Sequence, residues 1–427
     1  MMGRRRQPSL VFANRNGEII DYDGLEMAGS SAGALHRPAP EELIPLPEGS
    51  ELFVLPGRLP IGIEPESSEP ALLAENPYNG SKEIAAVAAF MAPAHTAIYT
   101  AAYQTKENAP LLPLFAYTAV GWQDGRFVVA AFRSDSDIRQ DPKGFNQQLI
   151  DKKTAAKLRK YPHNRLIQHL GKCCLTYACP AARNYFLGRW EAPLPSSPCC
   201  NAGCAGCISQ QPAGCCPSTQ DRIHFVPSAS ELLEIAVPHL KKADKAVVSF
   251  GQGCEGEPLL QGQTLESSIR QMRAQTDRGT VNLNSNASLP DVVDRLAVVG
   301  LDSIRVSMNS ARPDMHRRYY RPKNFSFAEV RQSIEVMKGH GRHVSLNYFI
   351  LPGFTDDQDE YEAFRELIQT CQPDLIQLRN LNMDPEQYLK VVGHAPNKPA
   401  LGILRWLDLL KEEFPQLKFG YFNPALR

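Results

Sequence analysis

From residue 228 onward, short apolar runs alternate with longer amphipathic segments, and this alternation restricts the fold more than any other feature. Residues 246–250, 281–284, 303–308, 343–350 and 374–378 read as strands. Residues 230–240, 265–275, 290–299, 327–338, 357–371 and 400–413 read as helices, the first capped by Ser228 or Ser230. Strands separated by helices cannot pair through tight hairpins, so successive strands lie parallel and the helices cover the sheet. Ligands of such sheets sit at the carboxyl ends of the strands, in open sheets and closed barrels alike. Residues 417–422 read as a terminal strand or a cover for the core.

The upstream sequence has a different texture. Residues 1–140 are rich in Pro and Gly and form a mixed or β-rich accessory domain, with strands at 50–55 and at 125–132, the second following an Asp124-Gly125 turn. The Ala-rich stretch 82–91 reads as a helix. No catalytic constellation stands out in this region. Residues 141–195 read as a helical, cysteine-bearing connector whose basic run, including Lys152, Lys153, Lys157, Arg159 and Lys160, is a solvated helix face. Residues 196–427 form the α/β core and its C-terminal extension.

Lys+Arg and Asp+Glu each number 46, so the chain lacks the basic field of a general nucleic-acid binder. No apolar stretch reaches the roughly 18 residues of a membrane span. The basic start lacks the apolar run of a secretory signal, so a cytoplasmic location with reduced cysteines is expected. Nine of the 11 cysteines fall between Cys173 and Cys216, and reduced cysteines concentrated in this way point to metal ligation. His163, His169 and His224 are isolated, and neither a nucleophile elbow nor a phosphate-binding loop occurs, which argues against a classical hydrolase or nucleotide-phosphate enzyme.

Within the cysteine segment, Cys200, Cys204 and Cys207 have C-x3-C-x2-C spacing. A four-iron cluster normally takes four thiolates, so three leave one iron open, as a chemically active site requires. The small residues Ala202, Gly203, Ala205 and Gly206 let a short loop wrap such a group. A zinc site completed by Cys199, Cys215 or Cys216 has the same local spacing. One βα unit later stands Gly251-Gln252-Gly253-Cys254-Glu255-Gly256-Glu257-Pro258.

Together these motifs make residues 196–395 resemble the radical S-adenosylmethionine (SAM) superfamily. The resemblance implies a partial (βα)6 TIM-like barrel. Its cysteine loop would hold a [4Fe-4S] cluster whose open iron is chelated by the amino and carboxylate groups of SAM. Glu255, Gly256, Glu257 and Pro258 look like the family's Gly-Gly-Glu-Pro type motif for the SAM amino group, with Glu in place of the first Gly. Asn284, Ser285 and Asn286 after the third strand, and Ser307 and Asn309 at the end of the fourth, are similar to the polar residues that meet SAM. Leu351 lies in a turn resembling the one that packs on adenine. One departure is Gly206, where the family usually has an aromatic residue. The implied reaction is reductive cleavage of SAM to a 5′-deoxyadenosyl radical that abstracts hydrogen from a substrate. It is oxygen-sensitive and needs a reductant such as flavodoxin or ferredoxin. A peptide, protein or small metabolite is favoured as substrate over nucleic acid. The competing reading is a non-catalytic iron–sulfur or zinc protein for electron transfer or assembly.

The sequence identifies no second-step catalyst; Tyr319 and Tyr320 either face the substrate or pack under the rim. The flanking cysteines either hold an auxiliary cluster or zinc, with Cys174, Cys179, Cys215 and Cys216 as its candidates and Cys173 and Cys199 nearby, or pack as small buried hydrophobes. Cys254 reads as a packing residue, and Cys371 has no evident role.

Overall fold

The computed structural model describes residues 7–211, 217–396 and 398–427. Its central element is a seven-stranded sheet of Glu191–Pro193, Val247–Phe250, Thr280–Ser285, Ser303–Met308, His343–Ile350, Leu375–Asn380 and Lys418–Gly420. The strands lie in chain order and every adjacent pair is parallel. Helices Ala229–Lys242, Gly262–Arg273, Pro290–Val298, Phe327–Gly339, Gln358–Cys371 and Ile403–Glu413 alternate with them. Ser228 caps the first of these, in a capping box with Glu231.

The two faces of the sheet differ in chemistry. Val248, Val281, Leu283, Ile304, Val306, Val344, Leu346, Ile376 and Leu378 join the helices in one apolar core. The other face carries Ser249, Asn282, Asn284, Ser303, Arg305, Asn347 and Gln377, matched across neighbouring strands by the parallel register. Asn282 donates to Ser249 Oγ at 3.2 Å and accepts from Ser303 Oγ at 2.8 Å. Beyond the last strand, Asn423 donates to Glu191 Oε1 of the first strand at 2.9 Å and accepts from Gln377 Nε2 at 3.0 Å. In a flat sheet the first and sixth strands would be about 24 Å apart, five spacings of about 4.8 Å. One asparagine can bridge them only because the sheet is curled around its polar face.

The N-terminal region forms an eleven-stranded antiparallel sheet and a smaller three-stranded one. The Asp124-Gly125 turn joins Val120–Gln123 to Arg126–Arg133, with φ of 51° and 76° as a two-residue hairpin requires. The stretch 82–91 is not the expected helix. Ala85–Phe90 is a strand between Ser9–Ala13 and Glu51–Leu55. Ala86 and Ala88 pack with Leu55 and Tyr117 on one side, and Val87 and Ala89 with Val11 and Val129 on the other. Small side chains suit a strand buried on both faces, and that packing outweighs the helix preference of alanine.

The connector contains helices Gln147–Lys160, Arg165–Leu175 and Pro180–Leu187. Its basic face is not wholly solvated: the Lys157 ammonium lies 3.7 Å from the centroid of the Tyr185 ring. Burial, followed by the charges of Lys153 and Lys160, pulls its pKa down to about 8. No helix among the described residues is long and apolar enough to cross a membrane.

The N-terminal sheet docks along the sixth and seventh parallel strands. Asn380 accepts from Ala97 N at 2.9 Å and donates to His95 O at 3.0 Å, as a neighbouring strand would. Asp135 accepts from Tyr421 N at 2.8 Å. Arg58 forms a 2.8 Å ion pair with Asp384, and the two side chains are 3% and 4% exposed. Asp384 also accepts from Leu112 N and caps helix Pro385–Val392. Asp384→Ala leaves a buried guanidinium unpaired and is expected to cost about 3–5 kcal/mol. The check is a urea titration against Arg405→Ala, which removes an exposed pair to Glu412 and should barely move the midpoint.

Candidate metal centre

The loop after the first parallel strand carries Cys200, Cys204 and Cys207, and three elements hold it. The turn after the second strand lies against its start: Gly256 N donates to Ser197 O at 2.7 Å, and Glu257 N to Cys199 O at 2.8 Å. A Cβ on Gly256 would stand 2.0 Å from Cys199 O, so glycine is required for the approach. The buried Glu255 carboxylate accepts from Ser196 N at 2.7 Å, Ser197 N at 3.0 Å and Gln252 N at 2.7 Å. Burial pushes its pKa up to about 7, against the pull of these N–H groups. Glu255 therefore clamps the turn to the cysteine loop.

The second support is the carboxyl end of the third strand. Asn201 donates to Ser288 Oγ and accepts from Asn286 Nδ2, both at 2.8 Å. Glu257 accepts from Ser285 Oγ at 2.6 Å, Asn286 N at 2.9 Å and Leu259 N at 3.1 Å. A carboxylate has about four lone-pair sites, so three of them are committed to holding the turn. Pro258 is buried at the start of the short helix that follows. Asn284 donates to Gly251 O at 3.1 Å.

The third support follows the fourth strand. Gly203 N and Ala205 N donate to the carbonyls of Tyr320 and Tyr319, each at 2.9 Å. Both tyrosines are 3% exposed, so they pack beneath the loop. A Cβ on Gly206 would lie 2.9 Å from Tyr319 Oη, which means Tyr319 already occupies the space an aromatic at position 206 would need. Asn309 is buried and donates to Tyr388 Oη at 3.2 Å, while its Oδ1 has no partner among the described residues. Leu351 shares an apolar cluster with Tyr319 and Tyr388, against which Cys204 and Ala205 pack. Ser307 is half-buried on the polar face, in register with Asn347.

Burial pushes the Cys204 thiol well up, and the neighbouring Cys207 and Cys200 sulfurs push it further. Burial also raises Cys200, with Glu257 and Cys207 adding to it. Crowded buried thiols become a stable thiolate set when a cation joins them, so this donor set fits a metal cluster. Arg222, which carries no sequence signal, supplies a nearby cation: its Nη2 is 3.5 Å from Cys207 Sγ and its Nε donates to Ser209 Oγ at 3.1 Å.

Residues 194–365 match the family model of the radical SAM superfamily. These residues are similar to a radical SAM domain. The match starts just before the cysteine loop and ends within helix Gln358–Cys371. Among solved structures, methylornithine synthase is similar at 14% identity and a TM-score of 0.39, over 64% of this chain and 78% of that one. The FeFe-hydrogenase maturase HydG from Carboxydothermus hydrogenoformans has 14% identity and a TM-score of 0.37, over 64% and 70%. A radical SAM methyltransferase from Sphaerobacter thermophilus has 14% identity and a TM-score of 0.37, over 56% and 67%. No curated protein matches the chain.

The flanking cysteines of the domain are dispersed. Cys174 Sγ lies 3.5 Å from Thr154 Oγ1, and Cys179 precedes helix Pro180–Leu187 with its sulfur near the Ala181 and Ala182 amides. Cys199 is exposed, and Cys215 and Cys216 lie outside the described residues. Gly256→Ala should lower the iron bound after anaerobic reconstitution several-fold without changing far-UV circular dichroism. Gly203→Ala, whose Cβ would meet only Arg321 Cβ at 3.8 Å, should load normally.

Proposed function

We propose that the protein is a radical SAM enzyme, with the curled sheet serving as a partial six-unit barrel. The observation that carries this reading is the three-cysteine loop held at the carboxyl ends of parallel strands by the Glu255-Gly256-Glu257-Pro258 turn. Cys200, Cys204 and Cys207 would hold a [4Fe-4S] cluster. SAM would lie between the turn at 251–258, the strand ends with Asn284, Asn286, Ser307 and Asn309, and the apolar turn at Leu351. Bound there, cluster and SAM supply reductive cleavage to methionine and a 5′-deoxyadenosyl radical for hydrogen abstraction.

The chain's own part is to bind, orient and exclude water. Backbone carbonyls of the turn would accept from the SAM ammonium group, while Glu257 keeps the turn in place. The partnerless Oδ1 of Asn309 is a buried acceptor ready for a ligand donor. The N-terminal sheet presses on the turn after the fifth strand, where a Cβ on Gly353 would stand 2.5 Å from Ala32 Cβ. That contact supports a role for the N-terminal region in closing the site and selecting the substrate, a peptide, protein or small metabolite rather than nucleic acid. A flavodoxin or ferredoxin would supply electrons, and reduced thiols suit a cytoplasmic setting.

The test is anaerobic. Iron-loaded, reduced protein incubated with SAM should release 5′-deoxyadenosine and methionine, and Cys204→Ala should abolish both. A full cluster that yields no 5′-deoxyadenosine would instead identify a non-catalytic iron–sulfur protein.

A further inference from the structure

On the far side of the Glu255 turn, one histidine and two cysteines converge away from the three-cysteine loop. His169 and Cys173 sit four residues apart in helix Arg165–Leu175, a spacing that puts both on one face. Cys254 reaches them from the turn after the second strand. One ligand atom from each of the three lies within 4.8 Å of the other two. Cys173 Sγ is 3.5 Å from His169 Nε2. Cys173 and Cys254 are 2% and 4% exposed, while His169 is half-buried.

We propose that His169, Cys173 and Cys254 form a mononuclear site for a soft divalent transition metal, zinc foremost. Zn–N of about 2.1 Å and Zn–S of about 2.3 Å at a tetrahedral angle put the nitrogen and sulfur about 3.6 Å apart. The distance between His169 and Cys173 already has that value to within about 0.1 Å, so the metal enters a nearly formed edge. Two ligands one helical turn apart form a rigid chelate, and the third comes from a different element. One imidazole and two thiolates favour zinc over the hard cations magnesium and calcium. Binding converts two thiols to thiolates and releases two protons to solvent, and the imidazole coordinates as a neutral base. Cys179 is not among the side chains whose ligand atoms converge here. Solvent completes the tetrahedron through the half-exposed side of His169.

The site has a structural consequence. Cys254 immediately precedes Glu255, and its carbonyl accepts from Ile223 N at 2.8 Å. A metal there ties the connector helix to the turn that holds the cysteine loop, and it does so whether or not that loop binds a cluster.

The test uses the full chain with Cys200, Cys204 and Cys207 all changed to Ala, which removes the cluster ligands. Purified with zinc present, this protein should carry about one zinc per chain by elemental analysis. Cobalt substitution should give tetrahedral d–d bands and a thiolate-to-cobalt charge-transfer band. Adding Cys173→Ser or Cys254→Ser should weaken that band and reduce zinc several-fold, whereas adding Cys174→Ser should leave both intact. His169→Ala, at a half-exposed position that folding tolerates, should weaken zinc affinity while keeping the charge-transfer band. No stoichiometric zinc, a cobalt band indifferent to Cys173 and Cys254, or a Cys173–Cys254 disulfide formed in place of metal uptake would each overturn the proposal.

Discussion

The candidate centre depends on one close approach. The Cys199 carbonyl occupies the space a side chain on residue 256 would need, and Glu257 N donates to that same oxygen. This contact fixes the height of Cys200 above the sheet, and the two-point clamp of Glu255 on Ser196 and Ser197 fixes the direction in which the chain leaves the first strand. A glycine that admits a carbonyl and a glutamate that grips the preceding amides are complementary: the first permits the approach and the second maintains it. Neither would position a metal-binding loop alone. A short loop of small residues has little side-chain packing of its own, so its order comes from backbone hydrogen bonds to its neighbours.

Those neighbours are held in turn by the curled sheet. Its concave face is polar, and buried polar groups must be paired to avoid a desolvation penalty. Asn282, Ser249 and Ser303 meet that requirement across three adjacent strands, and Asn423 meets it across the sheet edges. Each bond needs a specific partner at a specific register, which an apolar interior would not. A polar network of this kind therefore restricts how the strands can slide, and so holds the strand ends that support the loop. The cost falls on groups without partners among the described residues, and Asn309 Oδ1 at the carboxyl end of the fourth strand is one of them.

Much of this architecture was legible in the sequence, because local patterns encode it. Apart from the first strand, the strands and alternating helices of the parallel sheet fall where the alternation put them, since each is a single amphipathic or apolar run. The first strand, Glu191–Pro193, was not read: it has three residues and ends in proline, too short for any periodicity to show. The strand Ala85–Phe90 was misread because alanine favours helices locally, and only its burial on both faces decides the matter. At the site, the spacing of Cys200, Cys204 and Cys207 was plain, and so was the Glu255-Gly256-Glu257-Pro258 turn. The dual role of Glu255 was hidden, because its partners lie almost sixty residues away. The meeting of Cys173 with Cys254 was hidden for the same reason. Such contacts are made by the fold, and no local window contains both halves.

The residue before Cys207 is a glycine whose neighbouring space is filled from another element. A bulky residue at position 206 would collide with Tyr319 Oη and with Met383 Sδ, which a Cβ there would approach to 3.3 Å. The volume next to the loop is thus filled from the helix after the fourth strand rather than from the loop itself. That exchange alters the mechanics. An aromatic within the loop moves with the cysteines, whereas Tyr319 belongs to helix Pro313–Tyr320, and its carbonyl also accepts the Ala205 amide. Side-chain packing and backbone pairing then come from the same residue, so displacing the helix would disturb the shape of the loop and its packing together. Gly206 and Tyr319 are best understood as one unit: the glycine is small because the tyrosine is there.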